Sequence, residues 1–446
     1  IRDDTTSARA HWAGEAPLRL LIGPFDRAGH SAYMRGAFDD GDAFTFGAWD
    51  GADVVVPPGS PIRTVLDHLP EGWTPDLMLW WRPESSLLPP GLTDAPFPVA
   101  MLTSDWYLAW RDTRAAAEVA DVVVTGSRGA RIFRAAGVEN VVALPMLGYE
   151  PGLDGRHASA VRDVDVLCAG NPNWSIHAER ARVVDTLMDL PPSVRFVHPP
   201  YVDRVEYNAW LGRSKIFVNQ TVIGEINMKC YEAPAAGTCL FVERNNLDVA
   251  DVLVDGESVV LFDREDLLEK VLHYLAHDDE REAIAAAGQE AMRTRTYREN
   301  AQAIVRHLRA AGRDVLLRGR AARRAADTPH RWAAQAASRM SDPDPDLLAR
   351  VDEATADASP RATAVRVLAH ERARAAARAL GRPDPTGDPR RHALEVEEAA
   401  AAAPDDPCVN VLAGVLALRR DDATAAHRHF ERVVARFASD EPIPSP

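Results

Sequence analysis

Short apolar runs, each followed by enough chain for a helix, recur through the first 150 positions: Leu18–Gly23, Asp53–Val56, Asp76–Trp81, Val99–Leu102, Val122–Thr125 and Val141–Leu144. A strand that is apolar along its length is buried on both faces, so these runs predict a parallel sheet with helices above and below. Helices are expected between them, at Ser31–Phe38, Thr113–Ala120 and Ser127–Ala136. After a polar, Gly-containing stretch, Tyr149–Arg162, the rhythm restarts. Strands are expected at Val164–Gly170, Val194–His198, Ile216–Asn219, Thr238–Val242 and Val259–Phe262, and helices at Ile176–Leu190, Arg204–Gly212, Ile226–Ala236 and Glu265–His277. Two Rossmann-like halves of this kind place a ligand cleft at the facing carboxyl ends of their strands.

From Arg313 onward the chain is Ala/Arg-rich and helical in pattern, without strand signals. Within it, His392–Ala403 and Ala426–Phe437 recur at an offset of 34, the length of a tetratricopeptide helix-turn-helix unit. Val409–Leu418, a turn at Arg420–Asp422 and Thr424–Phe437 make the best single unit; a plain helical bundle is the alternative. The expected fold class is therefore α/β, two Rossmann-like domains (1–155 and 156–312), followed by an all-α region (313–446).

Charge and cysteine usage narrow the function. Lys plus Arg total 51 against 66 Asp plus Glu, a net charge of −15, which opposes binding to a phosphate backbone, so no nucleic acid is expected as a partner. Only Lys215, Lys229 and Lys270 are lysines; every other cation is Arg. Cys168, Cys230, Cys239 and Cys408 are scattered through apolar runs with no zinc spacing, which reads as free thiols in a reducing compartment. With no run long enough to span a membrane and no signal-peptide pattern, a cytoplasmic protein is expected. GxxxxGK[ST], GxGxxG after a strand, HExxH and GxSxG do not occur, which removes support for a P-loop ATPase, a dinucleotide oxidoreductase, a zincin and an α/β-hydrolase. The basic run Gly312-Arg313 and Arg318–Arg324 reads as a solvated helix face or a linker.

The most informative stretch runs from Lys215 to Thr238. On an expected helix from Ile226, Glu225, Lys229 and Glu232 share one face, and Ile226, Cys230 and Ala233 form an apolar stripe. A helix start offers unpaired N–H groups and a positive dipole end, which suits a diphosphate, with Lys229 adding a charge and Glu232 able to accept from a ribose diol. The same residues can equally form an exposed salt-bridge ladder.

An ordered series surrounds this stretch: Asp163–Asn171 followed by a His/Arg helix, Ser214–Asn219, Asn227–Gly237, Asp255–Glu257, Glu265–Leu267, and Glu282–Gly288 leading to Thr296-Tyr297. In the first half the matching segments are Leu102–Trp106 and Asp121–Ser127. The series resembles the nucleotide-sugar domain of two-Rossmann (GT-B) glycosyltransferases and is most similar to the CgeB-like, spore-protein group, over about Leu18 to Leu308. The resemblance implies transfer of a sugar from a UDP- or GDP-linked donor, held in the second domain, to an acceptor held by the first. By position it implies that Glu232 binds the ribose, that Lys229, Asn227 and Met228 face the diphosphate and sugar, and that Gly170 and Asn171 close the pocket, with Asn219 ending the adjoining strand. Retaining relatives carry two Glu eight positions apart; Glu225, the expected donor-sugar contact, is seven from Glu232. Tyr201, in His198-Pro199-Pro200-Tyr201-Val202, stands where a base would be held, and that loop also reads as a rigid turn.

A helix start plus Lys229 can stabilise a departing nucleoside diphosphate without a metal. Asp163-Val164-Asp165 opens a strand and Asp344-Pro345-Asp346 lies in a linker, so neither predicts an obligatory metal, and no cofactor beyond the nucleotide-sugar co-substrate is expected. An inverting reaction needs a base from the first domain; His30 and Asp105 are the catalytic candidates, each also readable as structural. Trp80, Trp81, Trp106, Tyr107 and Trp110 cluster at strand ends, where they can stack on a sugar or fill the core. The acceptor is unspecified, and the helical tail is expected to bind a protein partner, orient the acceptor or form a homodimer. A scaffold that has lost turnover is the alternative function.

Overall fold

The computed structural model describes residues 11–14, 16–25, 34–38, 42–152, 161–171, 174–200, 202–326, 329–339, 344–357 and 359–438. His30 and Tyr201, and the first three residues of the helix expected at Ser31–Phe38, lie outside them.

The first sheet is parallel, in the order β3-β2-β1-β4-β5-β6-β7. Its strands are β1 (Leu20–Phe25), β2 (Ala43–Gly47), β3 (Val54–Val55), β4 (Leu77–Trp81), β5 (Val99–Leu102), β6 (Val122–Thr125) and β7 (Val141–Ala143), with helices α1 (Ile62–Asp67), α2 (Trp110–Ala117) and α3 (Ser127–Ala135) between them. β2 is an addition to the sequence expectation. Thr45 interrupts its apolar character, and the Thr45 amide and hydroxyl are both satisfied by Asp53 Oδ2 at 2.7 Å. Because helices cover both faces of the sheet, alternation does not expose either ring of the Trp80-Trp81 pair, and both are buried. Trp106 is buried too, edge-on to Trp110 and Phe133. These three tryptophans are core residues, which corrects the sugar-stacking expectation for them.

The second sheet is also parallel, in the order β12-β11-β10-β8-β9. It contains β8 (Val164–Leu167), β9 (Phe196–Val197), β10 (Ser214–Asn219), β11 (Cys239–Glu243) and β12 (Val260–Phe262). Its helices are α4 (Trp174–Leu187), α5 (Arg204–Arg213), α6 (Lys229–Ala235), α7 (Leu267–Ala276) and α8 (Asp278–Met292). Asp163 pairs with Arg195 and Arg213, and Lys215 with Asp165, so the first Asp-x-Asp is tied up in surface ion pairs. The cysteines are free thiols, three of them buried.

Helix α9 (Tyr297–Ala311) carries the chain back to the first domain. Gln302 donates to the Ala37 carbonyl at 3.1 Å and Arg309 to that of His11 at 2.7 Å. The basic run that follows, through α10 (Arg313–Leu316) and α11 (Arg320–Ala326), is clamped at Arg320 and Arg323, while Arg318 and Arg324 are exposed. Arg320 and Arg323 both pair with the buried Asp121, which also accepts from the Val99 amide. Helices α12 (Pro329–Arg339), α13 (Pro345–Ala354) and α14 (Pro360–Ala379) extend the first domain's core through Trp332, Ala336, Leu348 and Ala373. Helices α15 (Pro389–Ala402), α16 (Pro407–Leu418) and α17 (Ala423–Ala438) then pack each on the one before, around Val367, Val396, Ala400 and Val409. Gly414 allows the closest approach, since a Cβ there would meet the Phe430 ring at 2.7 Å. Among the described residues no helix is long and apolar enough to cross a membrane.

Candidate functional site

Each sheet reverses its strand order once, at β1/β4 in the first domain and at β8/β10 in the second. Connections leave such a point on opposite sides, opening a crevice at the strands' carboxyl ends. Of the sequence-predicted second-domain residues, Gly170, Asn171, Asn219, Asn227 and Lys229 gather around the β8/β10 crevice.

Beyond β8, Gly170 has φ +133°, a region L side chains rarely adopt, and a Cβ there would lie 2.8 Å from Lys229 Nζ and 3.0 Å from Arg180 Nη1. Lys229 and Arg180 therefore converge on the Gly170 backbone. Burial, with the nearby Arg180 charge, pushes the Lys229 ammonium down to about 8, against the opposing pull of Glu232. Arg180 is held by the Asn171 carbonyl at 3.1 Å and the Gln220 carbonyl at 2.9 Å, so it bridges the loops that follow β8 and β10. His177, one turn earlier at a kink in α4, is pushed down to about 4 by burial and by Arg180 and Lys229, and is neutral at physiological pH. Two cations held this close concentrate positive charge at the Gly170 backbone.

The sequence expectation for the helix needs correction. It starts at Lys229, not Ile226, and Glu225 lies outside it. Two local contacts keep the preceding segment non-helical. Asn219 and Asn227 form a reciprocal side-chain amide pair, at 3.0 and 3.4 Å, and Asn219 also donates to Cys230 Sγ. Glu225 turns back to accept from the amides of Val222 at 3.3 Å and Ile223 at 2.8 Å. Met228 is the N-cap position and is half-buried. Glu232 is buried and paired with Arg204 at 2.7 Å, and Arg204 also lies over the Tyr207 ring. At the end of β11, burial raises Glu243 to about 7, helped by the charges of Glu179 and Glu225.

The opposing half comes from the first domain. Arg82, after β4, has φ +49° and donates to Asp105 Oδ2 at 2.5 Å. Glu84 accepts from the Thr103 hydroxyl at 2.8 Å and the Asp105 amide at 3.1 Å, and burial raises its pKa against the pull of Arg82. Asp105 is thus gripped from two sides with part of its carboxylate exposed. Two residues on, Tyr107 reaches across to donate to Glu225 Oε1 at 3.1 Å. Burial and the charges of Glu225 and Asp105 raise the Tyr107 phenol, with Arg180 opposing, so both half-sites act on one side chain. Nearby, Asp248 of the second domain accepts from the Arg128 amide at 2.6 Å, at the start of α3.

Arg180, Arg204, His177, Arg82, Glu84 and Glu243 are the site residues that sequence reasoning misses by number. The signals were a His and an Arg three apart after the strand ending at Gly170, and polar residues just past β4. Among the described residues, no three His, Cys, Asp or Glu side chains gather as a metal site.

Residues 156–306 match the family model described as glycosyl transferase-like. No curated protein sequence matches the chain significantly. Among solved structures, HepE of Anabaena in complex with UDP-glucose is similar with a TM-score of 0.51 at 12% identity, over 66% of this chain and 99% of that one. The complexes of HepE with UDP and with UDP and glucose give TM-scores of 0.52 and 0.50 at 13% and 12% identity, over 66% and 65% of this chain and 100% and 99% of that one. At this identity the likeness is one of fold: two facing parallel α/β domains of the GT-B type.

Proposed function

We propose that this chain, which carries a glycosyl transferase-like domain within a GT-B fold, moves a sugar from a nucleoside-diphosphate donor to an acceptor hydroxyl without requiring a metal. The observation that carries the reading is the convergence of Lys229 and Arg180 on Gly170 at the β8/β10 crevice. In this reading the diphosphate lies between the two cations and the Gly170 backbone, near Asn171 and the Asn227-Met228 start of α6. Its ribose diol hydrogen-bonds Glu232, and Arg204 turns from its carboxylate toward the nucleotide. The UDP and UDP-glucose complexes of HepE support a uridine donor in the same fold. Within the GT-B enzymes, the ordered motifs favour the CgeB-like group, and the 34-residue recurrence and the Gly414–Phe430 contact favour a tetratricopeptide-like tail.

Transfer breaks the bond between the sugar C1 and the terminal phosphate oxygen and forms one from C1 to the acceptor oxygen. Negative charge accumulates on the leaving diphosphate, where Lys229 and Arg180 stabilise it. The acceptor proton passes to Asp105, oriented by Arg82 and Glu84, if configuration inverts, and to the departing phosphate oxygen if it is retained. Glu225 acts as an interdomain and loop-holding carboxylate rather than as a sugar contact. The test is incubation with UDP- and GDP-linked sugars, with and without EDTA, following nucleoside-diphosphate release. Release by at least one donor, insensitive to EDTA, is expected; no release or binding with any donor would reject the proposal.

A further inference from the structure

Helix α16 is apolar on every side. Its 12 residues, Pro407–Leu418, include no charged side chain. Val409, Ala413 and Leu416 pack inward with Val367 of α14 and Val396 and Ala400 of α15, and Ala417 packs with Ala425 and Ala426 of α17. The opposite side is apolar as well. Val411, Val415 and Leu418, spaced four and three apart, fall within about 60° of one another around the helix and are 43%, 36% and 52% exposed. Neighbouring helices turn charge outward instead: Arg372 on α14, Arg391 and Glu398 on α15, Arg428, Glu431 and Arg432 on α17. A helix that is apolar all round is ordinarily buried all round, so the outer face of α16 is a surface built to be covered.

The face itself specifies the cover. An uncharged stripe offers no ion pair, so it matches another uncharged apolar stripe, and α16 supplies one. Its two ends differ in charge. Exposed Asp405 stands just before the helix, and Arg419 and Arg420 stand just after it, still accessible beside Glu371 and Glu397. Asp422, beyond them, is turned back to cap α17. When two copies of α16 cross antiparallel about a two-fold axis, Asp405 of each meets the partner's Arg419 and Arg420, and the helix dipoles oppose. A parallel crossing sets like charge against like.

We propose that this chain self-associates through the outer face of α16, as a two-fold antiparallel pair centred on Val411, Val415 and Leu418. The helix is roughly 18 Å long, which gives a contact at the low end of interface sizes, so the dimer forms at micromolar rather than nanomolar concentration. The pairing does not depend on the donor assignment.

Sedimentation of the full chain between about 1 and 100 µM tests this, and a concentration-dependent dimer is expected. Val415→Glu places two carboxylates at the axis and should weaken the dimer about tenfold or more. Because Val415 is exposed in the single chain, the thermal midpoint of that variant at low concentration should equal the parent's. Asp405→Arg should also weaken the dimer, since only an antiparallel pair brings it against the partner's arginines. With oxidised glutathione, Val415→Cys should close a disulfide between copies, whereas the parent and Leu380→Cys, exposed just after α14, should not. A monomer throughout would overturn the proposal and leave the face to a different protein. A dimer indifferent to Val415→Glu would overturn it by placing the contact elsewhere, and a Val415→Glu-sensitive dimer that Val415→Cys does not cross-link would overturn the two-fold arrangement.

Discussion

Tyr107, in the first domain, donates its hydroxyl hydrogen to Glu225 of the second at 3.1 Å, and the same carboxylate holds the Val222–Ile223 turn. One buried carboxylate therefore fixes both a local loop and the approach of the two domains. Tyr107→Phe leaves that carboxylate short of a donor and is expected to cost about 1–3 kcal/mol. The thermal midpoint should fall and small-angle scattering should show a wider molecule; an unchanged midpoint and radius would remove Tyr107 from the interface.

Lys229 links donor binding to pH. Its free-state pKa is about 8, and a bound diphosphate raises it by relieving the repulsion from Arg180. Binding is then accompanied by proton uptake. UDP affinity should be full below pH 8 and fall as pH rises through 8, by up to about tenfold per pH unit. In Lys229→Met the affinity should drop about 10- to 100-fold and the fall above pH 8 should disappear. Titration calorimetry at several pH values reads both, and an unaltered pH profile in the variant would place the diphosphate elsewhere.

Glu232 is proposed to read the ribose. The parent protein should prefer UDP to 2′-deoxy-UDP, and Glu232→Gln should bind the two alike. Arg204→Ala removes the ion-pair partner of the buried Glu232 carboxylate, leaving Lys229 as a nearby cation, and should lower stability as well. A Glu232→Gln variant that still discriminates would assign the ribose to another residue.

Gly170→Ala combines a backbone conformation that L residues avoid with a Cβ directed at Lys229 Nζ and Arg180. The expected loss is about 1–3 kcal/mol of stability together with displacement of the cations, hence weaker UDP binding. Retained UDP affinity would mean that the cations do not meet the ligand at this glycine.

Asp121→Ala removes the buried anion on which Arg320 and Arg323 converge, at an expected cost of about 3–5 kcal/mol. Limited proteolysis should then cut the chain near residues 313–328 faster than in the parent; equal cleavage rates would show that the clamp does not secure the helical region.

Lys229, Glu232 and Gly170 stand out in sequence as candidates because their neighbours form an ordered series and because lysine is scarce in this chain. Arg180 and Arg204 do not. Where nearly every cation is Arg, a single Arg carries no signal until the fold turns its guanidinium toward a carbonyl or a carboxylate. Glu225 shows the reverse failure, since helical periodicity groups it with Lys229 and Glu232. Periodicity does not include the Asn219–Asn227 amide pair or the turn amides that hold the segment open, contacts made by residues up to eight positions apart. The two parallel sheets were readable because doubly buried strands are continuously apolar, and β2 escaped because Thr45 interrupts that pattern and finds its partner in Asp53.

The clamp at Asp121, with Gln335 accepting from the Leu88 amide at 2.7 Å, binds the helical region to the first domain. Where two lobes rock about a hinge, helices attached in this way move with the first domain. The helical region is thus part of the first lobe's frame, positioned by the geometry of its attachment rather than by the state of the cleft.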